Sequence, residues 1–302
     1  MLRIADLGER GAPLDRVGTV AIIGVGLIGG SVGLALRERG LADEVIGIGR
    51  DEAKLSEAVR LGAIDSVSTD AARGVARADV VVVCTPVTRI ALDVRQAASQ
   101  APENVLVTDA GSTKQGIVEE VERDERARQT FVAAHPIAGS ERHGVAHGRA
   151  DLFEGRACVL TPTSHTPPDR LGRARGFWAG LGCRMIEMEA AAHDEALALT
   201  SHLPHAVAAA LAASVPPEVL ALTAGAYRDI TRVAGADATV WTAIFRANRG
   251  PILQALATFQ SRLAAFQDAL SDDDEQALHQ WWEAARAQRR EYEALQARPR
   301  HL

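Results

Sequence analysis

The sequence has few lysines and few cysteines for its 302 residues, and it has no long apolar run. Lys54 and Lys114 are the only lysines among 33 basic residues, which excludes any mechanism that needs a catalytic lysine in the second half of the chain. The cysteines Cys84, Cys158 and Cys183 form no CxxC pair, which argues against a disulfide framework and against a cysteine zinc site. We expect these cysteines to be buried as small apolar residues.

Charge and hydropathy exclude further classes of protein. The formal net charge is -6 and no basic block stands out, which argues against nucleic acid as the main partner. The longest purely apolar stretches are far shorter than the ~20 residues that a membrane span needs. The N-terminal segment also lacks the apolar core of a signal peptide. We therefore expect a cytoplasmic protein that binds a small molecule rather than nucleic acid or a membrane.

Short apolar segments alternate with helical patterns in the first part of the chain. Strands are predicted over 19–23, 45–48, 80–84, 105–108, 131–134, 157–162 and 183–188, and helices follow the first strand and cover 51–61 and 170–182. Such alternation is typical of right-handed βαβ units, which form a parallel sheet that is covered on both faces.

The character of the chain changes near residue 190. From there to about residue 295 the sequence shows alanine- and leucine-rich helical stretches without a convincing strand. Within them, the acidic run from Ser271 to Glu275 predicts a helix start, because Ser271 and Asp274 stand at capping-box spacing. The predicted fold class is an α/β Rossmann-type parallel-sheet domain over 1–189, followed by an all-α domain over 190–302.

A glycine-rich loop lies between the first predicted strand and the first helix. Gly24, Gly26 and Gly29, with Leu27 and Ile28, match GxGxxG in the strand-to-helix context that supports dinucleotide binding. The first glycine allows a tight turn, the second lets backbone amides approach a pyrophosphate, and the third lets helix and strand pack closely. The helix N-terminus supplies partial positive charge to the phosphates.

The end of the second predicted strand distinguishes between the two nicotinamide cofactors. An NAD site usually has Asp or Glu there to bind the ribose 2′-hydroxyl, but this sequence has Gly49 followed by Arg50. An arginine can stack on adenine or hold a 2′-phosphate, so we favour NADP over NAD. Asp51 is interpreted as the N-cap of the next helix, although a shift of one residue would make it the ribose ligand instead.

Polar clusters follow the predicted strands or lie in the helical part. They are DAGSTK at 109–114, HPIAGSE at 135–141, SHLPH at 201–205 and YRDITR at 227–232, and Trp241 follows. With these motifs in this order, the sequence resembles the prephenate/arogenate dehydrogenase (TyrA) family from about residue 18 to residue 295. The resemblance implies that a nicotinamide cofactor oxidises a cyclohexadienol while the ring loses carbon dioxide. The product would be 4-hydroxyphenylpyruvate from prephenate or tyrosine from arogenate, and the helical domain would form a homodimer.

Two residues are candidates for the chemical step. The resemblance makes His135 the catalytic base, and a histidine with a pKa near neutrality suits this role. Pro136 restrains the backbone of His135 in an extended conformation. The serine that matches Ser112 contacts the substrate hydroxyl and the nicotinamide in the family, whereas the alternative for Ser112 is a helix N-cap. The role of Lys114 stays open between a site contact, a support for the loop and a solvated side chain.

The substrate carries two carboxylates in the prephenate case, so the site needs cations or hydrogen-bond donors. Arg232 is the choice for the ring carboxylate because a guanidinium can bind it through two parallel hydrogen bonds. The alternative for Arg232 is a structural salt bridge to Asp229, three residues away on a probable helix. His205 is a second donor or a core histidine, and Pro204 should kink its helix or mark the first turn.

The remaining candidate residues come from the family motifs. Glu141 either attracts the ammonium group of arogenate or orders its loop, and Trp241 either lies near the substrate or packs in the core. The other predicted contacts are Ser140 and Gly225 to the substrate, and Thr85 and Pro86 to the cofactor.

Four other functions are weighed against this interpretation. A relative that acts on 4-amino-4-deoxyprephenate would differ only in the ring substituent. A β-hydroxyacid-type dehydrogenase has a similar architecture but relies on a lysine in its helical half. A cofactor-sensing protein without turnover would not need His135, Ser112 and Arg232 together. A metalloenzyme is suggested only by the spacing of the pairs His143 with His147 and His202 with His205, without an HExxH motif or an evident carboxylate partner.

Overall fold

The computed structural model describes residues 16–140 and 142–297. The chain divides into two compact units, residues 1–251 and residues 252–302. The first unit contains both β-sheets and the helices up to residue 247, and the second consists of most of α12 and all of α13, whose bounds are given below.

A six-stranded parallel sheet forms the centre of the first unit. Its strands are β1 (Val17–Ile23), β2 (Ala42–Ile48), β3 (Ser66–Ser68), β4 (Val80–Val83), β5 (Leu106–Asp109) and β6 (Phe131–Val132), in the spatial order β3-β2-β1-β4-β5-β6. Every pairing in this sheet is parallel. The strand order reverses between β1 and β4, and ligands of open α/β sheets bind at such a switch point. The predicted fold class is confirmed.

Helices cover both faces of this sheet. They are α1 (Leu27–Glu38), α2 (Glu52–Arg60), α3 (Ala71–Val75), α4 (Ile90–Gln100), α5 (Gln115–Val121), α6 (Glu125–Thr130) and α7 (Pro168–Gly180). Neighbouring strand residues alternate between two apolar clusters: Ile22 and Val82 pack in one, and Ile23 and Val83 pack in the other. Both faces of the strands are therefore buried, which explains why they read as continuous apolar runs.

A second, three-stranded sheet was not predicted as a separate layer. It consists of β7 (Ala134–Pro136), β8 (Ala157–Leu160) and β9 (Arg184–Glu187), with β7 antiparallel to β8 and β8 parallel to β9. The single strand predicted over 131–134 is in fact split at Ala133 between β6 and β7. The N–H of Ala134 donates to Asp109 Oδ1 over 2.9 Å, so a buried carboxylate takes the place of a strand partner where the chain changes sheets.

Only helices follow residue 189 in the part of the chain that the structure describes. They are α8 (Ala190–Leu197), a π-helical turn (Ala198–His202), α9 (Leu203–Ser214), α10 (Gly225–Thr231), α11 (Ala238–Ala247), α12 (Arg249–Ser271) and α13 (Glu275–Ala297), with 3-10 turns at Pro217–Leu222 and Arg232–Gly235. Pro204 lies in the first turn of α9, directly after the π-helical turn, as its sequence position predicts. Stretch 190–214 is long and apolar enough to span a membrane by length and composition alone, yet it carries the buried polar residues His193, Asp194 and His202.

The second unit contains the acidic run that predicted a helix start. Helix α13 does begin there, but Asp274 caps it by accepting the N–H of Ala277 over 2.9 Å. Ser271, the predicted capping residue, ends α12 instead. Within this unit the indole N–H of Trp281 donates to the carbonyl oxygen of Arg262 over 3.0 Å, which ties α13 to α12.

The close packing of α1 against the chain after α2 generates a stability prediction. A Cβ added to Gly33 would lie 1.9 Å from the carbonyl oxygen of Ala63, which is backbone and cannot rotate away. We expect Gly33→Ala to lower the free energy of unfolding by about 1–3 kcal/mol, because overpacking forces the backbone to shift. Urea unfolding followed by circular dichroism measures this change.

Gly172→Ala is the matched control for this substitution. Gly172 lies on the exposed side of α7, and an added Cβ would meet no atom within 4 Å. We expect this variant to gain about 0.5–1 kcal/mol, since alanine has the higher helix propensity. Equal stability changes in the two variants would contradict the packing argument.

Candidate active site

The glycine loop has the geometry that a dinucleotide requires. Gly24 has φ +94°, and a Cβ there would lie 2.9 Å from the backbone of Cys84. A Cβ on Gly29 would lie 2.3 Å from the carbonyl oxygen of Gly24, so this glycine allows α1 to pack closely on the loop. At Gly26 an added Cβ would meet no atom within 4 Å, so the backbone faces open space.

The N-terminus of α1 fits a phosphate group. Gly26 is the N-cap of this helix and offers no side-chain hydrogen bond, so the amides of the first turn are left for another acceptor. Thr85 and Pro86 follow β4, the neighbour of β1 at the switch point. The hydroxyl of Thr85 donates to Asp93 Oδ2 over 2.6 Å, which fixes this loop.

No acidic residue stands directly after β2, where an NAD site usually has the carboxylate that binds the ribose. Gly49 follows the strand, and the side chain of Arg50 is exposed. Asp51 is the N-cap of α2, as predicted: its Oδ1 accepts the N–H of Lys54 over 3.2 Å. This backbone hydrogen bond lowers the pKa of Asp51. The same bond keeps the carboxylate at the start of α2 as the helix cap.

His135 lies on β7 and is 8% exposed. Its Nδ1 lies 2.8 Å from Nε2 of His193, and Nδ1 of His193 lies 2.8 Å from Asp194 Oδ1. His193 and Asp194 are buried on α8, and the sequence analysis did not assign them a role. The signal that could have found them is a histidine–aspartate pair within an alanine-rich helix.

The electrostatic environment keeps His135 neutral. Burial lowers the pKa of His135 well below its ordinary value, and electrostatic repulsion between a protonated His135 and the side chains of His193, Lys114 and His202 lowers it further. A neutral imidazole has a lone pair on one ring nitrogen, which is what a general base needs.

Lys114 is a buried ion-pair partner. Its ammonium group contacts Asp109 Oδ2 and donates to the carbonyl oxygen of Ala134 over 2.8 Å, and both charged side chains are 0% exposed. The solvated alternative for Lys114 is therefore wrong. Asp109, which the sequence analysis did not single out, also accepts the N–H of Ala134, so the pair fixes the residue that precedes His135.

The helix after the DAGSTK motif is capped from a distant part of the chain. The carboxylate of Asp194 accepts the N–H of Lys114 over 2.8 Å and the N–H of Gln115 over 3.0 Å. The N-cap alternative for Ser112 is therefore wrong, because α5 begins at Gln115. Ser112 is half-buried, and within the described residues its hydroxyl has no hydrogen-bond partner.

His205 and Trp241 lie together in the helical part of the first unit. Their rings stack with centroids 3.7 Å apart and planes 23° apart. Nδ1 of His205 lies 2.8 Å from the carbonyl oxygen of Ser201, so Nδ1 carries hydrogen and donates. In the neutral ring Nε2 is then an acceptor, and His205 becomes a donor at Nε2 only after it gains a proton. Burial lowers the pKa of His205, and the nearby charge of Arg232 contributes to the same shift.

His202 is a core histidine that joins helices. Asn248 donates its amide N–H to Nδ1 of His202 over 2.9 Å and to the carbonyl oxygen of Asp194 over 2.7 Å. Burial lowers the pKa of His202 to about 4. His202 therefore fixes α8 and α11 relative to each other in its neutral form.

Two of the other predicted substrate residues are exposed. Arg232 is exposed after the end of α10, and with Gly225 it lines a shallow groove along that helix. Asp229, the alternative partner of Arg232, has an ion pair with Arg228 at 3.2 Å. Ser140 is exposed, and Glu141 lies outside the described residues. Within the described ranges, no three His, Cys, Asp or Glu side chains are grouped to hold a metal ion.

Two models of known protein families together match most of the chain. The family described as "Prephenate dehydrogenase, nucleotide-binding domain" matches residues 32–187, and "Prephenate dehydrogenase, dimerization domain" matches residues 189–284. The chain thus contains a nucleotide-binding domain and a dimerisation domain of this family.

Individual relatives agree with the family matches. The chain is 31% identical over 275 residues to prephenate dehydrogenase of Bacillus subtilis, covering 89% of this chain and 74% of that protein. It is 32% identical over 262 residues to cyclohexadienyl dehydrogenase of Zymomonas mobilis, covering 84% and 89%. The solved structure of prephenate dehydrogenase from A. aeolicus in complex with hydroxyphenyl propionate and NAD+ has a TM-score of 0.84 and 31% identity, covering 91% of this chain and 98% of that one. The predicted resemblance is confirmed, and the chain belongs to the prephenate dehydrogenase family.

Proposed function

We propose that this chain oxidises prephenate, arogenate or both, with loss of carbon dioxide and with a nicotinamide dinucleotide as the hydride acceptor, in tyrosine biosynthesis. The observation that carries the proposal is His135, which is buried, neutral and hydrogen-bonded at Nδ1 alone within the described residues. Its Nε2 is therefore left for a substrate hydroxyl. Two relatives named for prephenate and cyclohexadienyl substrates support the same reaction class.

The reaction needs one base, and this base returns to the product the proton that it takes from the substrate. As the bond between hydrogen and C4 breaks, the 4-hydroxyl gives its proton to Nε2 of His135 and a carbonyl forms at C4. A nicotinamide dinucleotide, when bound, would supply the acceptor for the hydride. The bond to the ring carboxylate then breaks, its electron pair makes the ring aromatic, and His135 returns the proton to the oxygen. His135 must therefore hold one proton between the two steps.

Substrate orientation is assigned to further polar residues of the first unit. We assign Arg232 to the ring carboxylate and His205 to a second carboxylate, which it binds after gaining a proton. A dianionic substrate favours that protonation because it brings negative charge to the ring. Ser112 is assigned to the substrate hydroxyl and the nicotinamide, since its hydroxyl has no other partner among the described residues. Ser140, Glu141, Gly225 and Trp241 complete the proposed substrate contacts.

The cofactor is assigned to the switch point of the sheet. Gly24, Gly26, Leu27, Ile28 and Gly29 form the loop and first turn that approach the pyrophosphate, and Thr85 and Pro86 face it from the neighbouring strand. NADP is the favoured cofactor. Arg50 is exposed where an acidic residue would bind the ribose, and Asp51 is held as a helix cap. NAD+ in the related structure supports a nicotinamide dinucleotide as the cofactor, and the preference for NADP rests on Arg50 alone.

The chain is proposed to work as a cytoplasmic homodimer. The match to a dimerisation domain over 189–284 supports association through the helices. Large apolar side chains on α12 and α13 are exposed, among them Leu253, Leu270 and Trp282, and such surfaces mark contact sites. We retain residues 1–189 and 190–302 as the proposed dinucleotide-binding and helical substrate domains.

Steady-state assays of prephenate and arogenate, each with NAD and with NADP, test the substrate and the cofactor together. We expect turnover with at least one substrate and a lower Michaelis constant for NADP. In Arg50→Ala the Michaelis constant for NADP should rise by about tenfold or more, since a charge-assisted contact worth about 1.5–3 kcal/mol is removed, while that for NAD changes little.

Arg60→Ala is the matched control, because Arg60 is an exposed arginine on α2 with Glu57 as its partner. It should leave both Michaelis constants unchanged. Equal rises for NADP and NAD in Arg50→Ala would reject the 2′-phosphate contact, and absence of turnover in all four combinations would reject the proposed function.

His135→Asn tests the base. We expect the variant to lose about 10²–10⁴ in kcat, the usual contribution of general acid–base catalysis. Cofactor affinity, measured by fluorescence titration, should stay near that of the parent. In the parent, kcat/KM should fall on the acid side only below pH 6.5, because burial lowers the pKa of His135 from that ordinary value. An unchanged kcat in His135→Asn, or an acid limb above pH 6.5, would refute the assignment.

A further inference from the structure

Three buried residues form one hydrogen-bonded chain, the His135–His193–Asp194 chain. Nδ1 of His135 lies 2.8 Å from Nε2 of His193, and Nδ1 of His193 lies 2.8 Å from Asp194 Oδ1. His135 comes from β7, whereas His193 and Asp194 come from α8. The proposed reaction uses only the first of these residues, so the other two are buried polar groups without an assigned part in the reaction.

The positions of the hydrogen atoms in the His135–His193–Asp194 chain can be derived by starting from Asp194. An ionised carboxylate can only accept hydrogen bonds, and the Asp194 carboxylate already accepts the N–H of Lys114 and the N–H of Gln115. A backbone N–H can only donate, so both carboxylate oxygens of Asp194 act as acceptors. Nδ1 of His193 therefore carries hydrogen and donates to Asp194.

The same reasoning extends to His135. A neutral imidazole carries hydrogen on one nitrogen only, so Nε2 of His193 has a lone pair and accepts. Nδ1 of His135 must then donate, which leaves the lone pair on Nε2 of His135. We propose that His193, oriented by Asp194, is a positioning residue that fixes His135 in the one tautomer able to accept the proton of the substrate hydroxyl. The part of this inference that concerns the substrate hydroxyl rests on the proposed function.

The His135–His193–Asp194 chain also stabilises His135 after it has accepted the proton of the substrate hydroxyl. When Nε2 of His135 takes the hydroxyl proton, Nδ1–H remains hydrogen-bonded to His193, and the negative charge of Asp194 stands at the end of the chain. A carboxylate placed behind an imidazole stabilises the imidazolium without itself taking the proton. The carboxylate of Asp194 still accepts the N–H groups of Lys114 and Gln115. His135 can then return the proton to the same oxygen when the ring becomes aromatic.

The first test reads the tautomer directly, in the parent protein with ¹⁵N-labelled histidine. ¹⁵N NMR distinguishes a ring nitrogen that carries hydrogen from one that does not. The spectrum of His135→Asn identifies the signals of His135 among the nine histidines. At pH 7 we expect Nδ1 of His135 to carry hydrogen and Nε2 to carry none. Hydrogen on Nε2 would overturn the proposal, whether or not the protein oxidises prephenate.

The second test compares two substitutions of His193. His193→Leu removes the acceptor, and we expect kcat to fall about 10²-fold, at the lower end of the acid–base contribution. The KM for the substrate and the affinity for the cofactor should stay within about twofold. His193→Gln can place its carbonyl oxygen where it accepts Nδ1–H of His135, so it should recover kcat to within about fivefold of the parent.

A control variant and the pattern of losses show whether His193 positions His135 or only stabilises the fold. His165→Leu changes an exposed histidine whose partner is Glu122, and it should leave kcat unchanged. A merely structural His193 would give equal losses in the Leu and Gln variants, or a rise in KM with kcat unchanged, and either result overturns the proposal. If the parent oxidises neither prephenate nor arogenate, the proposed function fails, and the tautomer is still decided by the spectrum.

Discussion

The hydrogen bond between Nδ1 of His135 and Nε2 of His193 is the interaction on which the account depends. It joins the strand that follows the nucleotide-binding sheet to the first of the later helices, α8. The base therefore stands on one part of the fold, and its orientation is set by another. Burial alone would make His135 neutral, but it would not decide which ring nitrogen carries the hydrogen. That decision needs a fixed neighbour.

Two buried charges hold this arrangement in place. Asp109 ends β5 and receives the ammonium of Lys114 and the N–H of Ala134, which places the start of β7. Asp194 receives two N–H groups at the start of α5, which places α8 against the same loop. Removing one partner of a buried ion pair leaves a charge without compensation and costs about 3–5 kcal/mol. The DAGSTK motif thus serves mainly as the framework around His135, and the half-buried Ser112 is the residue of this motif whose hydroxyl has no partner among the described residues.

The local pattern of the sequence predicted much of the fold, and tertiary pairing accounts for what it missed. The apolar runs at β1, β4 and β5 and the glycine loop are local signals, because both faces of these strands are buried and the turn requires glycine. The separation of β7 from β6 depends on a hydrogen bond from Ala134 to Asp109, 25 residues earlier in the chain, which no local pattern reports. His135 was predicted from its motif, whereas His193 was not, since a histidine in an alanine-rich helix becomes informative only once its partner is known. The same holds for Lys114, whose burial depends on Asp109.

A crystal structure with nicotinamide dinucleotide and 4-hydroxyphenylpropionate, a phenol that carries one carboxylate, tests the central claim most directly. The account predicts that the phenolic oxygen lies about 2.6–3.2 Å from Nε2 of His135, on the side of the nicotinamide. It also predicts that the carboxylate lies on the side of His205 and Arg232. A phenolic oxygen bound away from His135, or a nicotinamide that does not reach the adjacent ring carbon, would contradict it.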